Sequence, residues 1–510
     1  MTTALDKVRK PRSRKEKSSE HTERRPWRAV VDIGSNSVRL VVFDVSQRIP
    51  QPVFNEKVLC GLGRGVGRDG QLDEDSMEAT LATLTRFKGL ARAMDATELD
   101  LLATAAVRDA SNGEDFVNRV KEHCGLDVQV LSGREEARLS AQGVLAGFPF
   151  AEGLMGDLGG GSLELVVLED GQAVDGITLP FGPLRLIGGS KSPSEIRDAV
   201  GEALSGHKRI AALNDKPFYC VGGGWRALAR IGMEQMRYPL HMIHGFRLER
   251  DEALELATLV RVMSKRSLAR LNSVSKRRLE TLPYAALVFE CVLDALSAPD
   301  IVFSALGLRE GYVFDRMPER LQRIDPLLDA TQNWAARDAR FPLSAPAISQ
   351  WLEPLFPTAS DAEKRVIAAA VQLSDVGWRE HPDYRAEQMF LRILRSASLS
   401  IAHGERSFMA LAVFLRYGGD LEAELIQPFR TLLDQRQEKQ AIVLGAALRL
   451  AYALSGGSLD MLQRSRLSIL DDELTLTLPD GATVPAGTVL ERRLDNLSRA
   501  LGTTKARLVR

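Results

Sequence analysis

A strand–turn–strand pattern that occurs twice constrains the fold of this chain more than any other feature. Residues 29–44 read AVVDIGSNSVRLVVFD, and residues 155–169 read MGDLGGGSLELVVLE. Aligned at a constant offset, the two segments share identical residues at these pairs of positions: Asp32/Asp157, Gly34/Gly159, Ser37/Ser162, Leu40/Leu165, Val41/Val166 and Val42/Val167. Each copy predicts a strand, a tight Gly/Ser turn and a second strand. The spacing is too long for a solenoid unit, so we expect two similar α/β lobes that face one cleft.

The length of 510 residues exceeds what one hydrophobic core usually supports, so several domains are expected. Residues 1–26 combine many basic residues with almost no apolar ones, which predicts a disordered basic tail. We expect the first lobe at residues 27–140 and the second at residues 141–318. Apolar residues at helical spacing predict a helical domain at 319–465, and a small C-terminal segment with β structure and a helix should occupy 466–510.

Charge and cysteine content exclude several classes of partner. Lys plus Arg (67) equal Asp plus Glu (67), so no net charge draws the chain to nucleic acid or an anionic membrane, and any anion site must be local. The four cysteines lie far apart, without the paired spacing of a metal site. No apolar run reaches the roughly 18 residues of a membrane span. We therefore expect a cytoplasmic protein without disulfides and with no nucleic-acid or membrane partner.

Both Gly/Ser turns are predicted to bind phosphate. A glycine-rich turn directs several backbone N–H groups the same way without a bulky side chain, which makes a concave anion site. The predicted substrate-binding residues are Gly34, Ser35, Asn36 and Ser37 in the first turn and Gly159, Gly160, Gly161 and Ser162 in the second. Asp32 and Asp157, at the ends of the preceding strands, could each hold a cation directly or through water. Two ordinary hairpin turns would explain neither the repeated aspartate nor the triple glycine.

A third glycine turn and a basic cluster are further candidates. Residues 222–224 (GGG) follow an apolar run and open a predicted helix, where free N–H groups and the helix dipole favour an anion. Gly223 is the predicted substrate-binding residue there, and a tight strand-to-helix turn is the alternative. Residues 276–278 (KRR) could guide a polyanion toward the cleft, with Arg278 as the predicted ligand, or could form a solvated helix face.

Two phosphate hairpins and a Gly-Gly-Gly turn resemble the superfamily of actin, sugar kinases and the ATPase domain of heat-shock chaperones. Further segments are more specific: ATAAVRDA at 103–110, LSGREEAR at 131–138, LETLP at 279–283 and GLREG at 307–311. Together with the second hairpin, DLGGGSLEL, they resemble the exopolyphosphatase and guanosine pentaphosphate phosphohydrolase (Ppx/GppA) family across residues 27–316. The resemblance implies two actin-like, ribonuclease H-like lobes around a cleft.

The resemblance also implies catalytic roles. In the family the second Glu of the SGxEEAR segment is catalytic, which places this role on Glu136. Glu135 is the alternative, although a carboxylate in the first helical turn is also favoured by the helix dipole alone. Arg108 matches the family's phosphate-binding arginine, and a guanidinium can bind two oxygens of one phosphate. A surface ion pair with Asp109 or Asp115 is the other interpretation of Arg108.

A divalent cation follows from the same resemblance. Asp157 and Glu164 match acidic positions of the second hairpin that hold Mg²⁺ or water, and Asp32 is the corresponding candidate in the first hairpin. Glu164 could instead point to solvent from its strand. We therefore expect Mg²⁺ or another divalent cation as the cofactor.

The helical region resembles the HD-like domain of the longer family members. A working HD site needs a His-Asp pair with further ligands for a divalent metal. Residues 373–377 read LSDVG at the matching place, so the histidine is lost. We expect a degenerate metal site without hydrolase activity, in a domain that extends the substrate channel and builds a homodimer.

These observations predict an exopolyphosphatase. It would hydrolyse terminal phosphoanhydride bonds of inorganic polyphosphate and release orthophosphate, by metal-assisted attack of a water activated by a carboxylate. The alternative is a guanosine pentaphosphate (pppGpp) 5′-phosphohydrolase, since both activities share every motif above. A third class is a non-catalytic phosphate or nucleotide sensor, or a small-molecule kinase on the same fold. A sensor would be expected to have lost Glu136 or Arg108, and the SGxEEAR segment argues against a kinase.

Overall fold

The computed structural model describes residues 27–63, 65–187, 189, 191–213, 215–271, 273–341, 345–478 and 487–509. The predicted basic tail at residues 1–26 lies outside the described residues. Within the described ranges, no helix is both long and apolar enough to cross a lipid bilayer.

The first lobe is a mixed sheet with helices on both faces. Its strands are β1 (Trp27–Ile33), β2 (Val38–Asp44), β3 (Gln51–Val58), β4 (Glu98–Ala103) and β5 (Val128–Val130). Its helices are α1 (Val66–Asp69), α2 (Glu74–Ala93), α3 (Ala105–Asp109), α4 (Gly113–Cys124) and α5 (Gly133–Gly147). The strand order is β3-β2-β1-β4-β5. Strands β1 to β3 pair antiparallel, whereas β4 and β5 continue the sheet parallel to β1.

The second lobe repeats this plan. Its strands are β6 (Gly153–Leu158), β7 (Leu163–Glu169), β8 (Gln172–Leu179), β9 (Phe218–Val221), β10 (Phe246–Glu249) and β11 (Asp300–Phe303), in the order β10-β11-β9-β6-β7-β8. Its helices are α6 (Pro183–Leu186), α7 (Pro193–Gly206), α8 (Lys208–Ala211), α9 (Gly223–Gln235), α10 (Arg250–Val262), α11 (Lys265–Leu268), α12 (Leu282–Ala295) and α13 (Leu308–Asp315), with a 3₁₀ turn at Lys276–Arg278.

The predicted duplication is confirmed by a detail of strand pairing. In the first lobe the register of β2 against β3 shifts between Val42 and Phe43. In the second lobe the register of β7 against β8 shifts between Val167 and Leu168. These positions correspond at the same offset as Asp32 and Asp157. A bulge adds twist at a defined place, so both lobes bend their hairpins in the same way.

Helix α5 lies between the two sheets. One of its faces, with Leu139, packs on the first sheet in a buried cluster with Val30. Its other face, with Val144, packs on the second sheet in a cluster with Met155. The predicted boundary between residues 140 and 141 therefore falls inside a helix that both lobes share, and the division of the chain into domains stays a prediction.

The remaining residues form a helical domain that includes a small sheet. Its helices are α14 (Glu319–Gln322), α15 (Pro326–Asp338), α16 (Ala345–Leu352), α17 (Asp361–Leu373), α18 (Arg385–Arg395), α19 (His403–Arg416), α20 (Gln427–Arg430), α21 (Gln435–Ser455) and α22 (Leu459–Arg464), with 3₁₀ turns at Glu353–Leu355 and Val376–Arg379. The chain ends with β12 (Arg466–Leu470), β13 (Glu473–Thr477), α23 (Thr488–Leu501) and β14 (Lys505–Val509).

The C-terminal hairpin turns at Asp471 and Asp472, whose positive φ angles of 48° and 64° suit a tight two-residue turn. This sheet and the helices share one core, because Leu474 and Leu476 belong to the same buried cluster as Leu444. The predicted architecture of two α/β lobes, a helical domain and a small C-terminal β segment is confirmed.

Candidate functional site

The two predicted phosphate turns have the same internal geometry. The Gly34 N–H donates to the Ser37 carbonyl oxygen at 3.1 Å, and the Gly159 N–H donates to the Ser162 carbonyl oxygen at 3.0 Å. The turns also face each other, because a Cβ added at Gly160 would lie 3.6 Å from the Ser35 Cβ. The predicted substrate-binding glycines and serines thus line one cleft from opposite sides.

A second glycine loop supports the first turn from behind. The Gly61 N–H donates to the Asn36 carbonyl oxygen at 3.2 Å, and the Gly63 N–H donates to the Ser35 carbonyl oxygen at 2.7 Å. These bonds use carbonyl groups of the turn and therefore do not occupy the N–H groups that an anion would need. Asn36 itself is exposed.

Glu136 and Arg108 meet at the edge of this cleft. Ser132 caps helix α5 by accepting the Glu135 N–H at 3.2 Å, which places both glutamates in the first turn. The Glu136 side chain is only 12% exposed, and its Oε2 accepts from Arg108 Nη1 at 3.1 Å. Arg108 also donates to the Leu131 carbonyl oxygen at 2.9 Å. Glu135 is less buried, so the geometry favours Glu136 over its neighbour.

Arg108 also forms an ion pair with Asp109, one of the two surface partners predicted as alternatives. Its Nε lies 3.3 Å from Asp109 Oδ1, while Asp109 Oδ2 accepts from Arg185 at 2.7 Å. Asp109 therefore joins the first lobe to the second at the mouth of the cleft, and the guanidinium of Arg108 stays directed at Glu136.

Burial raises the pKa of Glu136 to about 7, while the hydrogen bond and the positive charge of Arg108 act in the opposite direction. The nearby carboxylates of Asp157 and Asp32 add to the increase. A carboxyl group with a pKa near the pH of the cell can accept a proton during catalysis and release it afterwards.

The three predicted metal-binding carboxylates lie close enough to Glu136 for their charges to interact with it. Glu164 faces Asp157 across the β6–β7 ladder, and Glu164 is 1% exposed, so it does not point to solvent. Burial raises the pKa of Asp32, Asp157 and Glu164, and the charges of Glu136 and Asp157 raise the pKa of Glu164 further. The Oε1 atom of Glu164 has no hydrogen-bond partner among the described residues.

Ser140, which was not predicted from the sequence, anchors the Asp157 carboxylate. Ser140 of helix α5 is fully buried and donates from Oγ to Asp157 Oδ2 at 2.6 Å. It follows Glu136 by four residues, so the two side chains share one face of the helix. This spacing was the available signal, but a serine in a helix carries no chemical signature of its own.

The third glycine turn lies against Arg278, the arginine predicted to bind the substrate. Gly222 has a positive φ of 95°, and the helix α9 begins directly after it. A Cβ added at Gly223 would collide with the guanidinium of Arg278, with 2.8 Å to Nη1. The structure thus brings Gly223 and Arg278 together, as expected if both line one anion site.

A group of cations beside Asp32 was also missed. Arg309 Nη1 lies 3.5 Å from Asp32 Oδ2. Burial, together with the charges of Arg309 and other cations, lowers the pKa of Arg39 to about 10. Burial and the charges of Arg278, Arg39 and Arg309 lower the pKa of Lys57. Crowded, partly buried cations of this kind are stabilised by an anion, so this part of the cleft suits a chain of phosphates.

Arginine side chains surround Asp375, the residue at the position where a degenerate HD site is predicted. Asp375 is buried and accepts from Arg340 Nε at 3.0 Å and from the Arg340 backbone N–H at 2.8 Å. Arg416 Nη2 lies 3.9 Å from the same carboxylate, and its guanidinium stacks on Tyr417 and Tyr452. The aspartate that would bind a metal in a working site is here an ion-pair partner.

No group of three or more His, Cys, Asp or Glu side chains is arranged to hold a metal ion in the part of the chain that the structure describes.

Comparison with known proteins identifies the family. The chain matches the Ppx/GppA phosphatase family over residues 41–320 and a domain described as exopolyphosphatase, C-terminal, over residues 327–509. Exopolyphosphatase 1 of Mycobacterium tuberculosis is 28% identical over 328 residues, which cover 59% of this chain and 89% of that protein. Retrograde regulation protein 2 of Saccharomyces cerevisiae is 25% identical over 437 residues, which cover 77% of this chain and 73% of that protein.

Solved structures agree with these matches. The PPX-GPPA enzyme of Aquifex aeolicus has a TM-score of 0.50 at 26% identity, covering 57% of this chain and 99% of its own. An exopolyphosphatase from Cytophaga hutchinsonii has a TM-score of 0.53 at 24% identity with the same coverage of 57% and 99%, which shows the fold. With the strand orders above, these neighbours confirm the predicted fold class. The first family match spans more than half of the sequence, and the chain belongs to the Ppx/GppA phosphatase family.

Proposed function

We propose that this protein is an exopolyphosphatase, which hydrolyses the terminal phosphoanhydride bond of inorganic polyphosphate and releases orthophosphate. The observation that carries the proposal is the ion pair of buried Glu136 and half-buried Arg108 beside two facing phosphate turns. Relatives named exopolyphosphatase support the choice of polyphosphate. Phosphoryl transfer to water needs bound phosphate oxygens, a positioned water and a proton acceptor, and the cleft offers a candidate for each.

The phosphate oxygens would be held by backbone and arginine donors. The N–H groups of residues 35–37 and 160–162 would suit the terminal phosphate, since the Gly34 and Gly159 N–H groups are used inside the turns. Arg108 can bind its oxygens through a second guanidinium nitrogen while Nη1 stays on Glu136. The cations around Arg39 and Arg278 suit the following phosphates of a linear chain.

Glu136 is proposed to orient the attacking water and to accept its proton. Because its pKa lies at about 7, a large fraction is ionised at neutral pH, yet the acid is weak enough to be an effective proton acceptor. Arg108 keeps the carboxylate directed at the phosphate and compensates part of the cost of burying its charge.

The carboxylates of the cleft fit a divalent cation. Glu164 is buried and Asp157 is half-buried, burial raises the pKa of both, and Glu164 Oε1 lacks a hydrogen-bond partner within the described residues. A nearby positive charge would remove this penalty. We propose that Asp157 and Glu164 hold Mg²⁺ or a similar ion, with Asp32 placed to bind its water. Such an ion would supply charge neutralisation for the phosphate oxygens.

We also propose that the protein is a homodimer in the cytoplasm. The dimer rests on the family resemblance, and the four described cysteines are all free and buried, as suits a reducing compartment. Light scattering of the purified chain would measure the mass of the particle, and a monomer across micromolar concentrations would contradict the dimer.

Replacing Arg108 by Ala is expected to lower kcat/KM for polyphosphate by about 10²-fold or more, since a preorganised charged donor is lost. The loss should also raise the pKa of Glu136 further, because Arg108 holds it down. The acid limb of the pH–rate profile should therefore move to higher pH. Initial rates from pH 5 to 9 measure both effects.

Arg209→Ala is a matched control, because this arginine is 53% exposed and pairs only with a surface carboxylate of Glu169 among its described contacts. Its kinetics should equal those of the wild type. If the Arg108→Ala enzyme also had the kinetics of the wild type, Arg108 would not belong to the active site.

Substrate choice is tested by giving the wild type long-chain polyphosphate and guanosine pentaphosphate at equal phosphate-end concentration. We expect a higher kcat/KM for polyphosphate and a gel in which chains shorten from their ends. Preference for the nucleotide would replace the proposed activity by the pppGpp phosphohydrolase. Release from neither substrate would support a sensor.

A further inference from the structure

Ser140 and Asp157 form a contact that links the two acidic parts of the cleft. Asp157 is the second-last residue of strand β6 in the second lobe, whereas Glu136 lies in the first turn of helix α5. Ser140 lies one helical turn after Glu136, is fully buried, and donates to Asp157 Oδ2 at 2.6 Å. One rigid helix therefore carries both the proposed proton acceptor and the group that fixes a carboxylate on the neighbouring strand.

The hydrogen bond of Ser140 differs from the usual one of a serine inside a helix. Serine inside a helix usually donates to the carbonyl group one turn earlier or faces solvent, and it lowers helix stability relative to alanine. Here the hydroxyl is buried and donates across to the second lobe. A serine therefore does not stabilise the helix at this position. Its hydrogen bond to Asp157 is the interaction that an alanine could not make.

The contact restricts how Asp157 can present its oxygens. Oδ2 is occupied by the serine proton, and Oδ1 lies toward the third glycine turn, where a Cβ added at Gly222 would come within 2.9 Å of it. A carboxylate anchored through one oxygen cannot rotate freely, so the direction of its remaining lone pairs is fixed. Groups that orient a metal-binding carboxylate in this way act on affinity without touching the metal.

We propose that Ser140 is a positioning residue, which orients the Asp157 carboxylate for the divalent cation and fixes its place relative to Glu136. The inference rests on the proposed function, because it assigns Asp157 to the cation. It goes further in naming a residue outside the glycine turns and the SGxEEAR segment as a determinant of cation affinity.

The test is a double-mutant cycle in the full-length protein with Ser140→Ala, Asp157→Asn and the combination. Mn²⁺ alone is titrated into each protein and followed by the loss of its free electron paramagnetic resonance signal. Ser140→Ala should weaken Mn²⁺ binding by about 10- to 100-fold. In the Asp157→Asn background the same serine change should have no further effect, because the two residues act as a unit.

A second variant separates the hydrogen bond from the space that the side chain fills. Ser140→Cys keeps a similar volume but is a poor donor. It should therefore bind Mn²⁺ as weakly as Ser140→Ala. Ser407→Ala is the control, since Ser407 is a buried helical serine that donates to the Phe429 carbonyl oxygen far from the cleft. Its Mn²⁺ affinity should equal that of the wild type.

In turnover assays the Mg²⁺ concentration for half-maximal activity should rise by the same factor in Ser140→Ala, with a smaller change in kcat at saturating Mg²⁺. Mn²⁺ affinity within twofold of the wild type would overturn the role of Ser140, and so would an equal loss in the presence and absence of Asp157. A wild type that binds Mn²⁺ in this Ser140-dependent way but releases no phosphate would refute the proposed function alone.

Discussion

Glu136→Gln is expected to lower the rate of phosphate release from polyphosphate by about 10²- to 10⁴-fold, because glutamine keeps the shape of the side chain and cannot accept the proton of water. Binding of polyphosphate should change little, since the phosphate turns and Arg108 remain. Orthophosphate release and equilibrium binding of a labelled chain measure the two quantities. Turnover that survives the change would assign proton transfer to another group.

The neighbouring glutamate supplies a matched control. Glu135 lies in the same helical turn but is less buried, and its backbone rather than its side chain bonds to Ser132. Glu135→Gln should retain the activity of the wild type. If instead Glu135→Gln were inactive and Glu136→Gln active, the two assignments would be exchanged.

The pKa of Glu136 predicts two pH effects with opposite directions. Activity of the wild type should increase as the pH rises through about 7, because the ionised form accepts the proton. Stability should change the other way. The folded-state pKa is raised from 4.5 to about 7, so the contribution of Glu136 to stability is present below pH 4.5 and is lost as the pH rises to about 7.

Glu136→Gln removes the ionisable group and therefore prevents this loss of stability at higher pH. Its free energy of unfolding, measured by urea denaturation, should therefore decline less than that of the wild type between pH 4.5 and 7. A larger stability at neutral pH together with lost turnover would show that the protein maintains an unfavourable buried charge for catalysis.

Gly311→Ala is expected to lower the free energy of unfolding by more than about 3 kcal/mol, at the upper end of overpacking effects. Helices α5 and α13 touch through backbone at this point. A Cβ on Gly311 would overlap the Leu139 carbonyl oxygen and lie 2.5 Å from the Gly143 nitrogen. Neither atom can move without displacing a helix, so the change should also shift Glu136 and reduce activity. Urea denaturation and initial rates measure the two losses.

Gly201→Ala is the control for the general effect of alanine in a helix. Gly201 lies inside α7, and a Cβ there would meet no atom within 4 Å. Its replacement should be neutral or stabilise the protein by up to about 1 kcal/mol, since alanine favours the helix more than glycine does. A Gly311→Ala protein as stable as Gly201→Ala would show that α5 and α13 lie farther apart than described.

The repeated motif was enough to predict two similar lobes, because duplicated residues produce duplicated geometry. Asp32 and Asp157 are the second-last residues of equivalent strands, and the bulges after Val42 and Val167 also correspond. Strands β10 and β14 lie outside the repeated motif. Each is short and pairs with strands far away in sequence, and such pairing leaves little periodicity in the segment itself.

The residues missed in the cleft share a physical reason. Ser140, Arg39 and Lys57 acquire their roles only through contacts between distant parts of the chain. Glycine turns and the SGxEEAR segment are local patterns and can be read directly. A helical serine or a lysine on a strand is uninformative until folding sets a carboxylate or another cation beside it.

The most direct measurement is the rate of orthophosphate release when purified wild-type protein is given long-chain polyphosphate with Mg²⁺ at pH 8, followed in parallel with Glu136→Gln. We expect continuous release by the wild type, with chains shortened from their ends, and almost none by the variant. No release by the wild type across a range of divalent cations, or equal release by both proteins, would contradict catalysis of polyphosphate hydrolysis through Glu136.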